Sequence, residues 1–134
     1  MCLIGGFAGV WDLPTLGLMA SPVGPYTPVV RAGEWVIVSG QLGLTPDGLV
    51  DGVRAQTRMA VQNLSAHLAE MGAALTDVVK TMCFLTDMND FAEFNEAYVD
   101  GFGEHRPARS TIGVAGLPLG GLVEIEAWAY CPQT

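Results

Sequence analysis

The sequence predicts an α+β domain in the order ββαβαββ, with one mixed sheet and two helices on one face. Three observations carry this. Short runs rich in β-branched and aromatic residues alternate with a period of two. Two longer segments switch to helical spacing. Turns containing Gly or Pro separate the segments. At 134 residues, half of them apolar, the chain has the length and the hydrophobic content for one compact domain.

Each element follows from its own residues. Gly24-Pro25-Tyr26 is a turn signal that leads into a short strand over Thr27–Arg31. Ala32-Gly33 turns the chain into Trp35-Val36-Ile37-Val38, which ends at Ser39-Gly40-Gln41, so the two runs read as a hairpin. Thr45-Pro46-Asp47-Gly48 reads as a loop. From Val53 the period changes, with Ala60, Leu64, Leu68 and Met71 on one helical face and Arg54, Arg58, Gln62 and Glu70 around the rest. Gly72 suits the position that closes such a helix. Val78 to Leu85 reads as a strand apolar on both faces. Asp90 and Glu93 have capping-box spacing, and Phe91, Phe94, Tyr98 and Phe102 mark one face of the second helix. Strands over Ala108–Ala115 and Leu122–Tyr130 complete the order, separated by Gly116-Leu117-Pro118.

Two helices cover one face of a sheet. The other face is apolar enough, at Trp35, Ile37 and around Val78, to require cover from outside the chain. A homo-oligomer is the expectation.

Charge excludes some functions. Fourteen acidic residues against six basic ones give a net charge of −8, and Lys80 is the sole lysine. A nucleic-acid surface needs clustered Lys and Arg, so no nucleic-acid partner is expected. Cys2, Cys83 and Cys131 form no CxxC pair, and His67 and His105 lie far apart. No metal site is expected, and reduced thiols in a cytoplasmic protein are. Residues 1–18 are largely apolar but lack a basic start, and the Met1–Val10 run is too short to span a bilayer. They are expected to be an extension, with Met19 as the biological start and residues 19–134 as the single domain.

Two residues attract chemistry. In Val123-Glu124-Ile125-Glu126-Ala127-Trp128-Ala129, the apolar positions fit the helix face, so Glu124, Glu126 and Trp128 share the face predicted to meet a partner. A covered carboxylate needs either an ion pair or a chemical role. Arg109, in Pro107-Ala108-Arg109-Ser110-Thr111, presents a fork suited to a carboxylate; the substrate's and that of Glu124 or Glu126 are both open.

The ordered set Gly24-Pro25-Tyr26, Val38-Ser39-Gly40-Gln41, Asp77-Val78-Val79-Lys80-Thr81, Asp87-Met88-Asn89-Asp90-Phe91, Pro107-Ala108-Arg109-Ser110 and Glu124-Ile125-Glu126-Ala127 resembles the RidA (YjgF) family over about residues 20–130. The resemblance implies a chorismate-mutase-like fold and a homotrimer with clefts between subunits. It implies a hydrolase that deaminates 2-enamino or 2-imino acids, such as 2-aminoacrylate, to 2-keto acids and ammonia without a cofactor. On that reading Arg109 binds the substrate carboxylate and Glu124 activates the attacking water, the two meeting in one pocket from adjacent strands. Tyr26, Ser39, Gly40, Asn89 and Thr111 line the cleft. Thr111 departs from the Cys common in the family, and Cys83 and Cys131 do not replace it by position. Three other readings stand beside this one: a trimer that binds small metabolites without catalysis, a deaminase of an aminomuconate-type intermediate, and an RNA-cleaving relative, which the acidic charge disfavours.

Overall fold

The computed structural model describes residues 22–133. The expectations for residues 1–18 and for a start at Met19 lie outside the described residues. Among the described residues seven strands and two α-helices form: β1 (Val29–Ala32), β2 (Trp35–Leu42), β3 (Leu44–Thr45), β4 (Gly48–Leu49), α1 (Val53–Glu70), β5 (Val78–Leu85), α2 (Phe91–Phe102), β6 (Ala108–Gly113) and β7 (Val123–Tyr130). The main sheet has the order β1-β2-β7-β5-β6. Its β5–β6 pair is parallel and the other pairs are antiparallel. The α+β class and the mixed main sheet are as expected.

The predicted loop at Thr45–Gly48 is instead a small hairpin, β3 with β4. Thr45 supplies the reason. Its hydroxyl donates to Gly48 O at 3.0 Å and accepts from Asp47 N–H at 3.2 Å, which closes the turn locally.

Strand alternation sets the core. Val36, Val38, Val123, Ile125, Ala127 and Ala129 are fully buried on the face that α1 and α2 cover, against Ala60, Leu64, Leu68 and Phe94. Gly72 does close α1, with φ at 77°. Its N–H donates to Ala69 O at 3.1 Å and that of Ala73 to Leu68 O at 2.9 Å, the paired bonds of a Schellman ending.

Three expectations are corrected. Asp90 and Glu93 make no capping box, because Met88–Asp90 is a 3-10 turn and Asp87 takes the capping role by accepting from Asn89 N–H at 2.9 Å. Phe91 is exposed rather than part of the core face formed by Phe94, Tyr98 and Phe102. Cys131 is disulfide-bonded rather than reduced; Cys83 is a free thiol, and burial pushes it up to about 11, so it is inert near neutral pH.

The far face of the sheet carries Val30, Trp35, Ile112 and Tyr130, all exposed, and half-buried Ile37, Met82, Phe84 and Trp128. No element among the described residues packs over it.

Candidate functional site

On β7, Glu124 alternates with the buried Val123 and Ile125, so its side chain lies on the uncovered face with Glu126. Opposite Glu126, the register of β2 slips between Val38 and Gln41, so Ser39 and Gly40 form a bulge. The bulge brings the Gly40 backbone against the carboxylate. A Cβ built on Gly40 would stand 2.6 Å from Cδ of Glu124 and 2.9 Å from its Oε1, so any larger residue there would have to move the carboxyl aside.

Neither Glu124 nor Glu126 has an ion pair among the described residues. Burial raises the pKa of the Glu124 carboxyl above the ordinary range and the charge of Glu126 raises it further; burial alone raises that of Glu126. Glu124 borders a cavity of about 40 Å³ that Tyr26, Gly40, Gln41, Asn63 and His67 also line. Ser39 is placed otherwise. Its hydroxyl donates to Thr27 O at 2.7 Å and ties down the strand end.

Gly40→Ala is therefore expected to expel the Glu124 carboxylate from its seat while costing less than about 1 kcal/mol, because the flexible side-chain end yields. Thermal unfolding and a crystal structure of the variant check both halves.

Arg109 is positioned differently. Parallel pairing aligns Arg109 with Thr81, which itself pairs with Ala127. Both of those are buried beneath the helices, so Arg109 points to the helix side. Its guanidinium carbon stands 4.9 Å from the ring centre of Tyr98, 5.4 Å from Phe94 and 5.7 Å from Phe91, within cation–π range of all three. It makes no ion pair among the described residues, and it borders a cavity of about 250 Å³ with Asn95, Tyr98 and Arg106. Thr111 follows on the same face beside Cys83, its Oγ1 enclosed without a hydrogen-bond partner. Asn89 is exposed in the turn before α2.

The expectation that Arg109 and Glu124 meet from adjacent strands is thus overturned within one chain. β5 lies between β6 and β7, and the two side chains occupy opposite faces of the sheet. Neighbours in sequence suggested neighbours in space, but β6 returns through α2 to run parallel to β5, while β7 inserts between β5 and β2. The same geometry removes an Arg109–Glu124 or Arg109–Glu126 ion pair within the chain. The structure gathers Tyr26, Gly40 and Glu124 at one place, and Arg109 and Thr111 at another. Sequence reasoning missed His67 and Asn95. The His67–Glu70 spacing, one helical turn, was the available signal for the first; nothing marked the second.

The profile of the family described as Endoribonuclease L-PSP matches residues 18–131. A RutC family protein of Pyrococcus abyssi is 43% identical over 112 residues, covering 81% of this chain and 88% of its own length. A 2-iminobutanoate/2-iminopropanoate deaminase of Dermatophagoides farinae is 38% identical over 113 residues, covering 82% and 88%. The crystal structure of RidA from the Antarctic bacterium Psychrobacter sp. PAMC 21119 superposes with a TM-score of 0.80 at 42% identity, covering 84% of this chain and 93% of that one.

Proposed function

Because the chain belongs to the Endoribonuclease L-PSP family, which includes RidA and YjgF, we propose that it hydrolyses 2-imino and 2-enamino acids to 2-keto acids and ammonia. The observation that carries this reading is a pair of unsatisfied opposite charges, each seated for work. One is a guanidinium laid on three aromatic rings with no acidic partner. The other is a carboxylate with a raised pKa beside a cavity the size of a few waters.

The two groups lie on opposite faces, so the reading requires a second copy. β6 is an edge strand, and the uncovered sheet face holds Glu124 in an apolar surround. We take the assembly to be a homotrimer in which the Arg109 edge of one subunit closes over the Glu124 face of the next. A 2-imino acid at that boundary sets its carboxylate on Arg109 in a bidentate grip. Its iminium carbon then faces the water held at Glu124, which takes a proton as the C–O bond forms. The raised pKa suits Glu124 to accept that proton and release it again. Tyr26 and Gly40 bound the water side, Thr111 follows Arg109 on its face of β6, and Asn89 stands exposed in the turn before α2. Ser39 is kept as a strand anchor rather than a ligand group.

A binding module without catalysis needs Arg109 but gives Glu124 no task, and the cavity beside it favours the enzyme. RNA cleavage, which the family description includes, is opposed by the charge of −8. No helix of the described residues is long and apolar enough to cross a membrane. A cytoplasmic site of action stays part of the proposal, although the bonded Cys131 withdraws the thiol argument for it.

The test generates 2-aminoacrylate or a branched-chain imine in situ and follows the semicarbazide-trapped intermediate. The protein should drain it faster than buffer, and Arg109→Ala should lose roughly two to three orders of magnitude in kcat/KM. An unchanged drain in the presence of the wild-type protein refutes the activity.

A further inference from the structure

His67 is the one buried histidine on the helix face that otherwise holds Leu64 and Leu68. Its Nδ1 lies 2.8 Å from Oε2 of Glu70, and the two side chains are only 9% and 13% exposed. An ionised carboxylate accepts only, so Nδ1 carries the hydrogen, and in the neutral ring Nε2 is left as a proton acceptor. Nε2 has no hydrogen-bond partner among the described residues, and it is not among the enclosed orphan atoms, which are Asn95 Oδ1 and Thr111 Oγ1. It is therefore not fully enclosed, and His67 lines the same cavity of about 40 Å³ as Glu124.

That volume has room for about two or three waters. The cavity sits at an incomplete edge of the sheet. β1 begins at Val29, opposite Val38, so the Gly40–Leu42 stretch of β2 has no outer strand. Gly40, without a side chain, lets the Glu124 carboxyl lie against the backbone at that edge, where it borders the cavity. A histidine present only to complement the carbonyl end of α1 has no need of a carboxylate to fix its tautomer or of a place on a cavity shared with a second carboxylate.

We propose that the His67–Glu70 pair is the second proton carrier of the Glu124 cavity, exchanging protons with Glu124 through the water between them. This rests on Glu124 acting as the base of the proposed hydrolysis. As water attacks the iminium carbon, the C–O bond forms and the π pair of C=N moves to nitrogen. The water proton passes to Glu124 and on to Nε2 of His67, where Glu70 stabilises the imidazolium. The stored proton then returns to the carbinolamine nitrogen. The C–N bond breaks with its electron pair leaving on ammonia, and the hydroxyl proton goes to Glu124 as the C=O bond forms.

Two measurements on the full-length protein test it. The first is kinetic. His67→Gln and His67→Ala should lower kcat about a hundredfold, the lower end of the range for a proton-transfer group, with KM little changed. Imidazole in the buffer should restore part of the loss in His67→Ala, more so for more basic imidazoles. Wild-type kcat in a folded His67→Ala, or a loss that no imidazole repairs, overturns the proposal. The second is a high-resolution crystal structure of the wild-type protein, expected to show ordered water linking a Glu124 oxygen to His67 Nε2. A protein group capping Nε2, or a dry cavity, overturns the proposal independently of any rate. Should the wild-type protein drain no imine at all, the hydrolase reading falls, while the water link still decides whether His67 and Glu124 share protons.

Discussion

Mixing two inactive variants, Arg109→Ala and Glu124→Ala, is expected to restore activity. Each variant alone leaves every site lacking one essential group. If a site takes its guanidinium from one subunit and its carboxylate from the next around a closed ring, an equal mixture re-forms intact sites. An intact site requires Arg109 on one side of a boundary and Glu124 on the other, so random reassembly places both at about a quarter of boundaries. The mixture, unfolded and refolded together, should therefore recover about a quarter of the wild-type rate per subunit. Separately refolded stocks, combined without exchange, should recover none. The prediction follows from the opposite faces of the two side chains. A substrate of a few atoms cannot reach through a sheet. Zero recovery in a properly assembled mixture would mean that the two groups do not act across a boundary, and the proposed mechanism would lose its geometry.

The sheet elements were legible because their signals are local. Period-two alternation in β2 and β7 fixed which residues meet the helices, and the observed burial of Val36, Val38, Val123, Ile125, Ala127 and Ala129 follows it. Gly72 was legible because a left-handed helix ending has one favoured residue. The site was harder. The face of Glu124 could be read from its own strand, but the face of Arg109 could not. β6 is short and half-exposed throughout, so alternation within it says nothing, and its orientation is set by its parallel register with β5. Register between distant strands is a tertiary property. The Gly40 bulge was hidden for the same reason, since it exists only as a mismatch against β7. Phe91 shows a third kind of failure. Helical spacing placed it with Phe94 and Tyr98, yet it occupies the first turn of α2, where it serves the Arg109 platform instead of the core.

Glu124→Gln is expected to make the folded chain more stable and the enzyme nearly inert. Burial, with the charge of Glu126, raises the Glu124 pKa on folding. A carboxyl whose folded value exceeds its unfolded one favours the native state fully below the unfolded value, near 4.3. That contribution is lost as pH rises through the folded value, so at neutral pH the ionised group weighs against folding. The neutral amide removes this burden. Because the group is only about half-buried and solvent screens it, the gain stays below about 1 kcal/mol. It should appear as a higher Tm at pH 7 that merges with wild type as pH falls below about 4. Deaminase activity, by contrast, should drop by about 10²–10⁴, the range for removing a general base. Glu126→Gln separates the two effects. Glu126 does not line the cavity, but its charge raises the Glu124 pKa. Its amide variant should gain stability by the same route, retain activity, and move the acidic limb of the pH–rate profile to lower pH, because Glu124 then ionises more easily. A stabilised and fully active Glu124→Gln would leave the buried charge unexplained and remove the base from the mechanism. A limb that stays in place in Glu126→Gln would assign it to a group other than Glu124.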